Sequence, residues 1–351
     1  LDVGVGYRSR KASDDLLDFL EIWTCLRAIL DKPMMQLFTS IRPPADPEAV
    51  TYLRDCLSSW RAAGFEAVAV NGPLEAQALR KLDLPIEISV MATDGKPRIG
   101  AFLSAIRERA CRFAGIINSD CRIVGYPGLA ANLQRQLEGR AILAWRIDVC
   151  DLKPSAVRYG FDAYFFDGAI MPADDAGFSI GDPWWDYWFP LACEMRGAQI
   201  ETLGLPLLTH KVHPLNWKRR RWDDGAHRFW TVLKGWRPAA PAKKSLFTEI
   251  PDAWWKRKQL TAYQVGVLSL TVPLWFHRER PQTIAVMPSD MAEMEAMLRL
   301  GGQALLEASE LTIIENMLQR AIRPLRMAEA MFRRARQAVL APLASFRAFP
   351  D

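Results

Sequence analysis

From Pro33 onward, short apolar runs alternate with segments whose apolar residues recur every three or four positions. The runs MMQLFTSI (34–41), FEAVAVNG (65–72), IEISVMA (86–92) and AGIINSD (114–120) read as strands. Between them, Asp46 to Ala63 reads as a helix with Pro47 in its first turn, and LEAQALRKL (74–82) as a short helix. Arg98 to Phe113 reads as a third helix, with Ile99, Phe102, Leu103 and Ile106 facing inward. A short helix (Tyr126 to Leu137) and strands AILAWRID (141–148) and DAYFFDG (162–168) follow. Then comes a proline turn feeding a helix that ends at Gly197, and a last strand in LPLLTHKVH (205–213). Strands alternating with helices at this period predict an α/β fold, a mostly parallel sheet flanked by helices. Ahead of it, Leu16, Leu17, Phe19, Leu20, Ile22 and Trp23 give an apolar helical face to Asp14–Leu30.

The expected organisation is an N-terminal helical segment (1–32), a catalytic α/β domain (33–217), a basic, Trp/Pro-rich linker or wrap (218–280) and a C-terminal helical extension (281–351). Half of the 351 residues are hydrophobic and 24% are charged, an ordinary globular balance. The six cysteines show no C-x-x-C spacing, which argues against a zinc ribbon and for reduced thiols in a cytoplasmic setting. The longest nearly apolar run, Val265 to Phe276, is too short for a bilayer. The net charge of +5 gathers late in the chain, where Arg320, Arg323, Arg326, Arg333, Arg334 and Arg336 interleave with apolar residues. That basic amphipathic pattern suits a peripheral membrane contact or a partner as well as a plain surface helix. Nucleic acid is disfavoured, because no aromatic-plus-basic sheet motif accompanies it.

Candidate chemistry gathers at four places. Asn118 and Asp120, two apart at a strand end, form either a turn device or half of a hard-metal site for Mn²⁺ or Mg²⁺. His210 and His213 are two of only four histidines, and one of them joining Asp120 as a metal ligand is the sharper reading beside a plain structural histidine. In GDPWWDYWFP (181–190), Asp182 and Pro183 suit a helix start. Trp184, Trp185, Tyr187 and Trp188 are not expected all to face inward on one helix, so they are candidate acceptor-sugar contacts with Asp186 as general base. Lys96 and Arg98, in a Gly-Pro loop after the third strand, suit a diphosphate.

Taken in order, LFTSIRP (37–43), IINSDCRI (116–123), GFDAYFF (160–166), FSIGDPWWDYW (178–188) and THKVHP (209–214) resemble GT-A-type glycosyltransferases. These are nucleotide-diphospho-sugar transferases, and the likeness is to a bacterial and plant branch of them. The resemblance covers about residues 33–217 and implies a GT-A-like, Rossmann-like sheet. It also implies a sugar-nucleotide donor and a glycan or lipid-linked acceptor of surface or secreted polysaccharide synthesis, at the inner membrane face. By it, Thr39 and Arg42 would sit by the nucleotide base or ribose, and Asp120, near Asn118, would hold Mn²⁺ or Mg²⁺. His210 or His213 would close that site, and Asp186 would activate the acceptor. Asn118 departs from the pattern's first acid, and Asp182 and Trp184 from its Arg and Gly. The competing readings are a carbohydrate-binding or scaffold protein that keeps the fold, and a nucleotidyltransferase, which lacks its glycine-rich loop here.

Overall fold

A computed structural model describes residues 34–124, 128–150, 153–203, 207–211, 219–238, 245–279 and 282–283. The N-terminal helical pattern, His213, Lys218 and the basic C-terminal pattern lie outside the described residues. The first strand, β1 (Met35–Thr39), is followed by α1 (Pro47–Ala62), β2 (Phe65–Asn71), α2 (Pro73–Arg80), β3 (Glu87–Val90), α3 (Ile99–Glu108) and β4 (Phe113–Ile117). Next come β5 (Cys121–Ile123), α4 (Leu129–Gln134), β6 (Arg140–Cys150), β7 (Lys153–Asp167), α5 (Trp185–Met195), β8 (Gln199–Leu203) and β9 (Leu208–Lys211). Helices α6 (Arg219–Trp236), α7 (Leu246–Glu249), α8 (Asp252–Trp255) and α9 (Ala262–Glu279) lead to the short β10 (Gln282–Thr283).

These strands form one mixed, mostly parallel sheet in the order β10-β8-β6-β7-β4-β1-β2-β3, with β5 and β9 paired beside it. The parallel pairs are β1 with β2 and β4, β2 with β3, β6 with β8 and β9, and β8 with β10. β7 runs antiparallel between β4 and β6, so β6 points the same way as β4. Strand alternation sorts the core into two layers. Phe38, Val68 and Val70 face α3, α5, α6 and α9, whereas Leu37, Ala67 and Ala69 face α1 and α4. Helix α1 begins as its sequence dictates: the Asp46 side chain accepts from the Ala49 amide at 2.8 Å, Pro47 fills the first turn, and Leu53, Cys56, Leu57 and Trp60 bury one face.

Two expectations change. α3 stops at Glu108 rather than reaching Phe113, because Ala110 takes φ 51° and Phe113 is already paired with Asp167 in the sheet. The stretch expected as a linker or wrap forms helices over its described residues. In α6, Ala226, Phe229, Trp230 and Leu233 recur at helical spacing and are all buried. Gly225 lets α6 approach the start of α5, since a Cβ there would meet the Pro183 carbonyl oxygen at 2.8 Å and Trp184 Cδ1 at 2.9 Å. Among the described residues, no helix is long and apolar enough to cross a membrane.

Candidate active site

The order of strands reverses between β1 and β4, and in open α/β sheets ligands meet the carboxyl ends of the strands at such a point. The chain leaves β1 there through Ser40, Ile41 and Arg42, and leaves β4 through the turn Asn118–Asp120. Buried Asn71, at the end of β2, holds the first loop: its side-chain oxygen accepts from the Ile41 amide at 3.2 Å and its NH₂ donates to the Ile41 carbonyl at 2.9 Å. Arg42 is exposed on that loop. Thr39 is fully buried, and its hydroxyl donates to the Ile117 carbonyl at 2.7 Å. This corrects its expected contact with a base or ribose, since its only hydroxyl ties β1 to β4.

Around the β4 turn lies a chain of alternating charges. His210 Nε2 is 3.4 Å from Asp120 Oδ2, and its Nδ1 is 3.0 Å from Asp148 Oδ1. Arg146 donates through Nε to Asp148 at 3.0 Å and through an Nη to Asp162 Oδ1 at 2.9 Å. The Asn118 side-chain NH₂ donates to the same Asp162 oxygen. Strand register builds this set: Asp148 lies opposite His210 across β6 and β9, and Cys121 lies opposite His210 across β5 and β9. Tyr52, from α1, clamps the pair by donating to the Asp120 carbonyl and accepting from the Lys211 amide, each at 2.9 Å. Burial opposes protonation of His210, but the hydrogen bonds to Asp120 and Asp148 outweigh it and raise its pKa to about 9. Arg146, Asp148 and Asp162 were not singled out from sequence, and only the in-strand pair Arg146-Ile147-Asp148 hinted at them.

Among the described residues, the donor set does not fit a divalent cation. Asp120 and His210 lie side by side, but both ring nitrogens of His210 already face carboxylates. Asn118 turns its NH₂, a donor, towards Asp162. Among the described residues, no three His, Cys, Asp or Glu side chains converge on one point.

Asp186 stands in the first turn of α5, whose backbone is held to β7 by the Tyr164 hydroxyl donating to the Asp186 carbonyl at 2.7 Å. Its Oδ1 is closed off from solvent and receives no hydrogen bond. Burial, then the charge of Asp162, pushes its pKa up to about 7, against the pull of the backbone amides of Asp186 and Tyr187. The aromatic residues around it correct the sequence expectation, because all four are buried: Trp184 and Trp188 are 0% and 1% exposed, Trp185 and Tyr187 2% and 6%. Trp184 precedes the helix with φ 77°, which turns its ring towards Trp222 and Phe229 on α6. Trp185 meets Tyr164, and Trp188 stacks on Phe178 at 5.3 Å. Their ring faces are thus spent on the core rather than offered to an acceptor sugar. Asp182 does not cap α5; it pairs with Lys96 at 2.6 Å, while Arg98 pairs with Asp175 at 2.6 Å. Lys96 and Arg98 are exposed on the loop after β3.

No protein-family model matches the chain, and no curated protein matches it. Similar solved structures include TarS 1–349 of S. aureus, at 12% identity and TM-score 0.42, over 83% of this chain and 92% of that one. TarS 1–349 in complex with UDP-GlcNAc is similar over 58% of this chain and 66% of that one, just under two thirds of its length, at 12% identity and TM-score 0.41. A UDP-glucose pyrophosphorylase complexed with UDP-glucose is similar at 10% identity and TM-score 0.25, over 39% of this chain and 78% of that one. Two of these structures hold a UDP-sugar, and the likeness is too distant to carry anything about this chain's activity.

Proposed function

We propose that this chain is a glycosyltransferase that moves a sugar from a nucleoside-diphosphate donor to a hydroxyl of a glycan or lipid-linked acceptor. The observation that supports it is Asp186, an acid with a closed-off oxygen that no donor answers and a pKa near 7. A carboxylate poised near neutral pH is suited to take a proton from an incoming hydroxyl. The acceptor oxygen attacks the anomeric carbon and its proton passes to Asp186. The bond from that carbon to the diphosphate breaks, and the electron pair leaves with the nucleoside diphosphate. Arg42, Lys96 and Arg98, on the loops leaving β1 and β3, are assigned to the diphosphate charge. Mn²⁺ or Mg²⁺ is what the motif resemblance implies; the described donors do not cage one, so no step is assigned to it.

A thermal-shift screen against UDP, GDP, CDP and dTDP, each with and without Mn²⁺, tests this reading, followed by a donor-turnover assay on Asp186→Asn. Stabilisation by one nucleotide, with turnover lost in the variant, is the expected result. Stabilisation by none of them would overturn it and favour a carbohydrate-binding protein.

A further inference from the structure

Asp162 is used unevenly. Its Oδ1 accepts from Asn118 and from Arg146, while its Oδ2 is buried and has no donor. The residue is 6% exposed, so bulk solvent compensates the second oxygen little. A buried carboxylate oxygen left without a donor is costly, and native chains retain few of them. Asp186 Oδ1 is in the same state, and Asp162 influences Asp186 electrostatically without being hydrogen-bonded to it. Asp162 lies two residues along β7 from Tyr164, whose hydroxyl donates to the Asp186 carbonyl at 2.7 Å, so the two acids stand on elements packed together, one beside the Asn118 turn and one at the start of α5. As carboxylates both oxygens accept hydrogen bonds, so a group rich in hydroxyls would complement them.

Resting on the nucleotide-sugar reading above, we infer that Asp162 is a substrate-binding residue whose Oδ2 accepts a hydroxyl of the donor's sugar. Asn118 and Arg146 lock Oδ1 and so fix where Oδ2 points. The assignment to the donor rather than the acceptor follows from that lock, because Asn118 belongs to the turn at the strand-order reversal. A sugar hydroxyl there would receive a charge-assisted bond inside a dry site, where such bonds discriminate strongly. Asp162 thereby selects for a hydroxyl at one ring position, next to the acid that handles the acceptor.

The test compares nucleotide and nucleotide-sugar binding in wild type and Asp162→Asn, which keeps an oxygen for Arg146. The pairs are UDP with UDP-glucose and UDP-GlcNAc, GDP with GDP-mannose, and dTDP with dTDP-glucose, together with the monodeoxy analogues of each sugar. One deoxy analogue should bind wild type about tenfold or more weakly than its parent, and Asp162→Asn should erase that difference. Parent and deoxy analogues all binding wild type within about twofold would overturn the inference, even if the variant does not fold. A discrimination that survives in Asp162→Asn would overturn it too. Wild type bound by no member of any pair is a different failure, since the nucleotide-sugar reading itself then falls.

Discussion

The charge network below the β4 turn ties its acids to cations by ion pairs, whereas Asp186, at the start of α5, is answered by backbone amides. In the network, Asp148 faces both His210 and Arg146, and Asp162 Oδ1 takes two donors, although burial still pushes the Asp162 carboxyl above its ordinary range against the pull of Arg146. At α5, Asp186 Oδ1 has no donor, while the aromatic residues beside it in the chain pack against other rings of the core. On the proposed reading the second arrangement is that of a reactive group, since an acid whose charge is weakly supported keeps a raised pKa. The difference is a matter of support rather than depth.

The largest effect should come from removing the unsupported acid. Asp186→Asn should lower turnover by about 10²–10⁴-fold. It should also raise the melting temperature, as the loss of an unfavourable buried group commonly does. The sign follows from the raised pKa: between about pH 4 and 7 the unfolded chain ionises this acid while the folded chain resists, so wild type loses stability across that window and the variant does not. Melts at pH 4, 5.5 and 7 check it, and equal slopes for the two proteins would remove Asp186 from its assigned state.

Breaking the supported side should do the opposite. Arg146→Ala leaves Asp148 and Asp162 without their shared cation and should cost about 3 kcal/mol in denaturant unfolding at pH 7. A smaller effect is expected from His210. Its folded pKa of about 9 exceeds the unfolded value, so its contribution is complete below about pH 6.5 and fades as pH rises through 9. His210→Gln should flatten that decline, worth at most about 3 kcal/mol, as read from unfolding at pH 6 and 9.5. Smallest of all, Thr39→Val removes one buried hydrogen bond and should cost about 1 kcal/mol. Nucleotide affinity should stay unchanged in it; a loss of affinity without loss of stability would return Thr39 to the ligand.

The parts of this comparison were unequally legible in the sequence. β1, β2, β4, α1 and the inward face of α3 announced themselves through local spacing, and Asp120, His210 and Asp186 through short motifs. Asp148 and Asp162 did not, because their partners lie far away in the chain and meet them only through the register of β6, β7 and β9. β8 (QIETL) was missed because two apolar and three polar residues over five positions carry little signal. α6 was hidden by its Lys/Arg-rich entry, although Arg219 and Arg220 simply pair with Asp223 and Asp224 four residues on. The four aromatic residues at α5 were misjudged for a related reason. A helix has one inward face, but a neighbour packed over the other makes a second.

That neighbour gives Gly225 a wider meaning. The contact it permits seats α6 on Trp184, two positions ahead of Asp186, so helices that follow the sheet in the chain complete the surroundings of the acid. Excising the sheet as a self-sufficient module would leave Trp184 bare to water. Melting should therefore proceed as one cooperative event for α5 and α6, with their amides exchanging hydrogen at the same rate. Substitutions in the helical half that shift this contact would therefore change the packing two residues from Asp186.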